Sequence, residues 1–286
     1  MEQNVFTYEK ELGRLSTQNE LIYSCEYPVF REIFAGKNGL RVLDVGCNDG
    51  EKTFRWFSVP AVSRVIGLEL DEKLVEHAQK SYGGKIFSFR SCDVNTEDFP
   101  AQLKEILRRE DVLSFDIIYV SLLLSHLRKP EALLRQLRPL LREGGILVAV
   151  ESDDANAFLT PEDRRFREFL DMLSQDPYAG DRSVGGRLDA MLSGCGYRSP
   201  VLHRVAISAG PGEEEKKEMI FEMFFTFLPE DVRLLRATAP KDARYVLWER
   251  WLQENYAALR RAICAPGSRI SIGISVITWS GNTERV

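Results

Sequence analysis

The sequence predicts a doubly wound α/β fold, a mostly parallel seven-stranded sheet with helices on both faces. Three observations predict it. From residue 40 onward, short apolar runs alternate with stretches of helical periodicity. A glycine-bearing turn, residues 46–50, joins the first run to the first helical stretch. The length, 286 residues, suits one α/β core with an appended segment better than two large domains. Strand–helix alternation implies parallel strands joined by right-handed crossovers, which places helices on both faces.

The elements follow in order. Residues 1–38 are polar, with Leu12, Leu15, Leu21, Ile22, Tyr23, Val29, Phe30 and Ile33 at roughly helical spacing. One or two amphipathic helices are expected, Pro28 separating them or opening the second. Residues 41–45 read as a buried strand, 46–50 as a tight turn, and a helix begins near Glu51. Residues 64–69 form a second strand, followed by a helix carrying Leu74, Val75 and Ala78. Residues 85–89, 115–120 and 145–150 are the third, fourth and fifth strands. Between the last two lies a helix with Leu133, Leu137, Leu140 and Leu141 on one face, which Pro139 should kink or weaken.

Beyond residue 150 come helices near 161–173 and 186–193, a sixth strand at 201–207, and an aromatic-rich helical region over 213–264. A final strand, 269–279, follows Pro266-Gly267. The expected organisation is an N-terminal helical cap over 1–38, a core over 39–212, a helical insertion or lid over 213–265, and the last core strand in 266–286.

Composition narrows the function classes. A chain 44% hydrophobic and 28% charged can bury a substantial core and is not disordered over most of its length. Its net charge of −5 does not advertise a nucleic-acid binder, although a local basic patch stays open. No run approaches the roughly 20 apolar residues that span a bilayer, and Met1-Glu2-Gln3-Asn4 lacks the start of a secretory signal. Five widely spaced cysteines without a C-x-x-C pair suit reduced thiols in a cytoplasm. His77, His126 and His203 show no zinc-ligand spacing with them, so no metal is expected.

Asp44-Val45-Gly46-Cys47-Asn48-Asp49-Gly50 sits where the first strand turns into the first helix. Glycine lets a ligand approach the backbone, and amides at a helix start favour electronegative groups. The alternative is an ordinary tight turn. Glu69 ends the second strand nineteen residues after Gly50, where an acid typically accepts from ribose hydroxyls. Asp93, in Cys92-Asp93-Val94 after the third strand, is placed to accept from an adenine amine. Three such sites at successive strand ends point to a nucleotide-like ligand.

The run Val42-Leu43-Asp44-Val45-Gly46-Cys47-Asn48-Asp49-Gly50 resembles the first motif of class I S-adenosylmethionine-dependent methyltransferases. Ile66-Gly67-Leu68-Glu69-Leu70 resembles their second motif, and Ser91-Cys92-Asp93-Val94 their adenine-binding segment. Phe115-Asp116-Ile117-Ile118, Ser121, Ser125-His126-Leu127, Pro130 and Glu143-Gly144-Gly145-Ile146-Leu147 are similar to the fourth and fifth. The match runs in order over roughly residues 40–151, and its Asp-x-Gly-x-x-x-Gly differs from the Gly-x-Gly-x-x-Gly of dehydrogenases. Asn48 stands where the family usually has glycine; asparagine tolerates left-handed backbone better than most residues.

The resemblance implies S-adenosylmethionine as cofactor and methyl transfer to an O, N or C atom of a small organic acceptor. Gly46 and Gly50 would leave room for its methionyl and ribose portions, with Cys47, Asn48 and Asp49 lining them. Asp44 would organise the turn near the amino group, Glu69 would bind the ribose hydroxyls, and Leu70 would pack on adenine. Asp93 and Val94 would hold the adenine edge, and Ser121 would face the methionine end. Residues 11–18 resemble the N-terminal helix that closes over the cofactor in some members, and Arg14 would pair with the carboxylate through its guanidinium fork.

His126 is the candidate general base, because it follows the fourth strand on the side where the methyl group should lie and an imidazole side chain can take a hydroxyl or ammonium proton. Its alternative is a residue that caps the turn or shapes the pocket. Asp153 and Asp154 are either a cation or metal site or capping and loop acids, and Tyr178 and Arg182 border the same cleft. Phe221, Met223, Phe224, Phe225, Phe227, Tyr245, Trp248, Trp251 and Tyr256 are either packing residues or aromatic walls of an acceptor pocket. A protein or RNA methyltransferase of the same fold, or a binder that keeps the cofactor site without catalysis, are the other readings.

Overall fold

The computed structural model describes the backbone of residues 8–280 and the side chains of residues 16–198 and 201–274. Along the chain run α1 (Tyr8–Phe34), β1 (Leu40–Val45), α2 (Glu51–Phe57), β2 (Val62–Glu69), α3 (Glu72–Tyr82) and β3 (Phe87–Ser91). Then come α4 (Phe99–Glu110), β4 (Phe115–Ser121), α5 (Pro130–Leu137), β5 (Leu141–Ser152), β6 (Phe158–Thr160), α6 (Arg164–Ser174) and α7 (Val184–Gly194). The chain continues through β7 (Arg198–Ala209), α8 (Glu214–Phe225), α9 (Phe227–Thr238), α10 (Ala243–Ile263) and β8 (Arg269–Ser280).

The sheet has eight strands in the order β3-β2-β1-β4-β5-β8-β6, with β7 paired to β8. Strands β1 to β5 are parallel, and β8 runs antiparallel to β5, β6 and β7. Because β8 is 12 residues long, it pairs β7 along one edge, and β5 and then β6 along the other. The eighth strand, β6, is the addition to the seven that patterning reveals; three residues are too few to show a period.

Alternation along the strands builds two cores. Val42, Val65, Ile117, Tyr119 and Val148 face α1, α2 and the α8–α10 helices. Leu43, Ile66, Leu68, Ile118 and Leu147 face α4, α5 and α7. Buried Ile22 and Phe30 dock α1 as one 27-residue helix with Pro28 inside it, so residues on both sides of the proline share one anchoring face. Pro139 does not kink a helix. Proline disfavours helical backbone in the residue before it; α5 ends at Leu137, a 3-10 turn spans Arg138–Leu140, and Leu141 opens β5. The third strand lies two residues beyond the predicted run, with Ile86 exposed and Val65 paired to Phe87. The region 213–264 is three helices, breaking at Thr226 and before Asp242, whose side chain caps α10. No helix among the described residues is long and apolar enough to cross a membrane.

Candidate cofactor and active site

The turn after β1 is built from left-handed backbone. Gly46, Asn48 and Gly50 have φ of 80°, 50° and 78°. The amides of Gly46 and Cys47 both donate to the Leu68 carbonyl of β2, at 2.8 and 3.0 Å, which ties the turn to the neighbouring strand. Asn48 donates its backbone N–H to Glu69 Oε2 at 3.0 Å. Glu69 Oε1 accepts from the amides of Leu70 and Asp71 at 2.8 and 3.2 Å. Burial raises the Glu69 pKa against the pull of these donors.

Gly50 departs from expectation. A Cβ there would lie 2.8 Å from Ala78 Cβ and 3.0 Å from the Phe89 ring, and Gly50 is buried away from the cavity described next. Its missing side chain makes room for α3 and β3, not for a ligand.

Asp44 is buried and accepts from Thr53 Oγ1 at 2.6 Å. Burial pushes its pKa up to about 7, although the Thr53 bond and the Lys52 charge work the other way. Thr53 escaped the sequence reading; a hydroxyl in the first turn of the helix after an acidic strand end was its signal.

A cavity of about 1020 Å³ opens over this edge of the sheet. Asp44, Gly46, Cys47, Asn48, Asp49, Glu69, Leu70, Asp93, Val94 and Ser121 all line it, so ten of the predicted cofactor contacts share one hollow. Arg14 lies in α1, and its side chain is outside the described residues. Asn48 Oδ1 is buried at the cavity wall with no hydrogen-bond partner. Leu70 is 45% exposed, an apolar surface free to cover a flat ring.

The other half of the cavity is formed by the 3-10 turn Leu124–His126, the loop 177–182 and the α8–α9 junction. His126 lines it from an exposed position. Fully buried Glu151 anchors that turn, accepting from the Leu124 amide at 2.6 Å, and burial pushes its pKa up to about 7. The loop packs closely on the turn: Asp181 N donates to Ser125 O at 2.8 Å, and a Cβ on Gly180 would lie 2.5 Å from that carbonyl.

Tyr178 and Arg182 line the cavity, whereas Asp153 and Asp154 do not. Asp153 Oδ2 accepts from Asn156 Nδ2 at 2.6 Å within its own loop, whereas Asp154 takes the Arg182 fork at 2.5 and 3.0 Å and so ties that loop to the cavity-lining segment 177–182. The aromatic region divides. Phe221 and Phe225 stack in the core at 5.5 Å, and buried Tyr245 and Trp248 meet edge-on. Met223, Phe224 and Phe227 face the cavity.

Lys52, a lining residue that the sequence reading missed, donates to Glu26 Oε1 at 2.8 Å and to Ser121 Oγ at 2.7 Å. Glu26, wholly buried on α1, also accepts from Tyr119 OH at 2.7 Å and Trp56 Nε1 at 2.6 Å.

Residues 43–147 match the family model of a methyltransferase domain. An uncharacterized methyltransferase of Schizosaccharomyces pombe is 24% identical over 226 residues, 75% of this chain and 79% of its own. A tRNA U34 carboxymethyltransferase of Methylococcus capsulatus is 30% identical over 206 residues, 68% of this chain and 56% of its own length. A proposed methyltransferase of Bacillus halodurans C-125, 18% identical, superposes with a TM-score of 0.54 over 90% of this chain and 98% of its own. At that identity the likeness concerns the fold. The donors and acceptors around the turn fit S-adenosylmethionine, the cofactor of this class: two acids end β2 and follow β3, and an unpartnered amide oxygen and the buried Asp44 belong to the same cavity wall. Residues 43–147 thus carry a methyltransferase domain, in a chain with the class I, S-adenosylmethionine-dependent methyltransferase fold.

Proposed function

We propose that the protein transfers the methyl group of S-adenosylmethionine to an O, N or C atom of a small organic acceptor. One observation carries this reading: a single cavity of about 1020 Å³ joins the cofactor motifs to the aromatic wall of α8 and α9. An acceptor there meets the cofactor inside the molecule, behind Tyr178, Phe224 and Phe227, with helices α8 and α9 as a lid.

S-adenosylmethionine supplies a methyl group already activated on a sulfonium, so alignment and exclusion of water are the protein's main work. Glu69 accepts from the ribose hydroxyls and Asp93 from the adenine amine, with Leu70 and Val94 packed on the ring. Gly46, Cys47, Asn48 and Asp49 border the ribose and methionyl portions, and ionised Asp44 attracts the amino group. Ser121 borders the methionine end. His126 accepts the proton of an acceptor hydroxyl or ammonium when one must leave. An RNA acceptor is the second reading, favoured by the Methylococcus capsulatus relative.

Calorimetry with S-adenosylmethionine and S-adenosylhomocysteine tests the cofactor site. Glu69→Ala should weaken both by about 30-fold or more, the scale of a lost hydrogen-bonded charge. A wild-type protein that ignores both ligands ends the reading. Labelled methyl offered with a metabolite library and, separately, with bulk tRNA tests the acceptor; label entering tRNA alone overturns the small-molecule assignment.

A further inference from the structure

The geometry points to Lys52 as the cation that receives the carboxylate at the methionyl end of the bound cofactor, with Glu26 of α1 as the residue that positions it. This inference rests on the reading of the cavity as the cofactor site. Three described cations line that cavity, namely Lys52, Arg128 and Arg182. Arg182 is engaged by Asp154 through both arms of its fork, and it lies over Phe224 with 5.9 Å to the ring centroid. Arg128 follows the 3-10 turn that carries His126, on the acceptor side. Lys52 alone among the three stands beside Asp44 and Ser121, where the methionyl end must lie.

The ammonium is prepared for an anion. Two of its three N–H groups go to Glu26 Oε1 and Ser121 Oγ. Its flank rests 5.3 Å from the Tyr119 ring centroid, and the side chain is 15% exposed, so water competes little for the remaining donor. Glu26 is held by Tyr119 and Trp56 as well as by Lys52, and therefore fixes the position of the ammonium. A zwitterionic amino-acid end then finds opposite charges in matching order, Asp44 for its ammonium and Lys52 for its carboxylate. The anchor of the second charge comes from α1, so docking of that helix and capture of the cofactor share one residue. By resemblance that role fell to Arg14.

Ligand truncation tests the assignment without turnover. Calorimetry compares S-adenosylhomocysteine with its decarboxylated analogue, which keeps the sulfur, adenosine and amine. The wild type should prefer the intact ligand by about tenfold or more, as a charge-assisted pair requires. Lys52→Met should bring that ratio close to one while leaving the affinity for the decarboxylated analogue within about twofold. Lys52→Arg should keep most of the preference, and Glu26→Gln should lose part of it. Should Lys52→Met fail to fold, Lys52→Gln, which retains an N–H for Ser121, answers the same question. An unchanged ratio in the Lys52 variants overturns the proposal, as does a ratio that collapses in Arg14→Met instead. A wild-type protein that binds neither ligand defeats the cofactor reading itself, a result distinct from binding without preference, which defeats only the role of Lys52.

Discussion

Asp44 and Glu151 each sit near a pKa of about 7 when folded, against 3.8 and 4.5 as ordinary carboxyls, because burial disfavours their charged forms. Between those values the folded chain holds protons that the unfolded chain has shed. Stability therefore declines as the pH rises from about 4 to about 7 and levels off above that. Thermal unfolding of the ligand-free protein should show a higher midpoint at pH 5.5 than at pH 8, and Asp44→Asn or Glu151→Gln should each flatten the slope. A midpoint that climbs over this range contradicts the assignment. On the proposed function, the same proton opposes the cofactor: affinity for S-adenosylhomocysteine should rise between pH 6 and pH 8, and Asp44→Asn should remove that rise. That Glu69, Asp93 and the turn residues gather at one cavity was legible, because consecutive strand ends of a doubly wound sheet lie along one edge. Lys52 and Thr53 were not, because their value lies in partners nine to sixty-nine residues away that only folding brings within reach.

Gly50 illustrates what a motif hides at the scale of elements. It is the N-cap of α2, yet the space it leaves is filled by Ala78 of α3 and Phe89 of β3. Gly50→Ala puts a Cβ 2.8 Å from Ala78 Cβ at a φ of +78° and should cost about 1–3 kcal/mol of stability by chemical denaturation. Wild-type stability with lost cofactor affinity would show that the glycine serves the ligand instead. Helix α1 shows the converse, since Pro28 suggests a break that burial on both sides of it overrides. Local propensity yields where a long apolar face is anchored along its length.

Across the whole molecule, the cavity depends on segments far apart in sequence. Strand ends from residues 44 to 121 form one half, and α8 and α9 return near residue 223 to close the other. On the proposed function, Phe224→Ala should raise the KM for the acceptor by about tenfold, the scale of a lost aromatic wall. Its affinity for S-adenosylhomocysteine should stay within about twofold, and steady-state kinetics beside calorimetry separates the two. Equal loss of both would make Phe224 a core residue like Phe221 and Phe225.

By itself the sequence determined the alternation of strands and helices, the doubly wound sheet, and the acids and glycine turn that meet at one cavity. These follow from short-range periodicity and from motif spacing along consecutive strand ends. Only the tertiary structure decided which aromatic residues face the cavity, that Asp153 is engaged by Asn156 and Asp154 by Arg182, and that Lys52 meets Glu26 beside Ser121. The physical reason is that side-chain partnership across a packed interface depends on how distant elements dock, a relation that no local pattern of residues encodes.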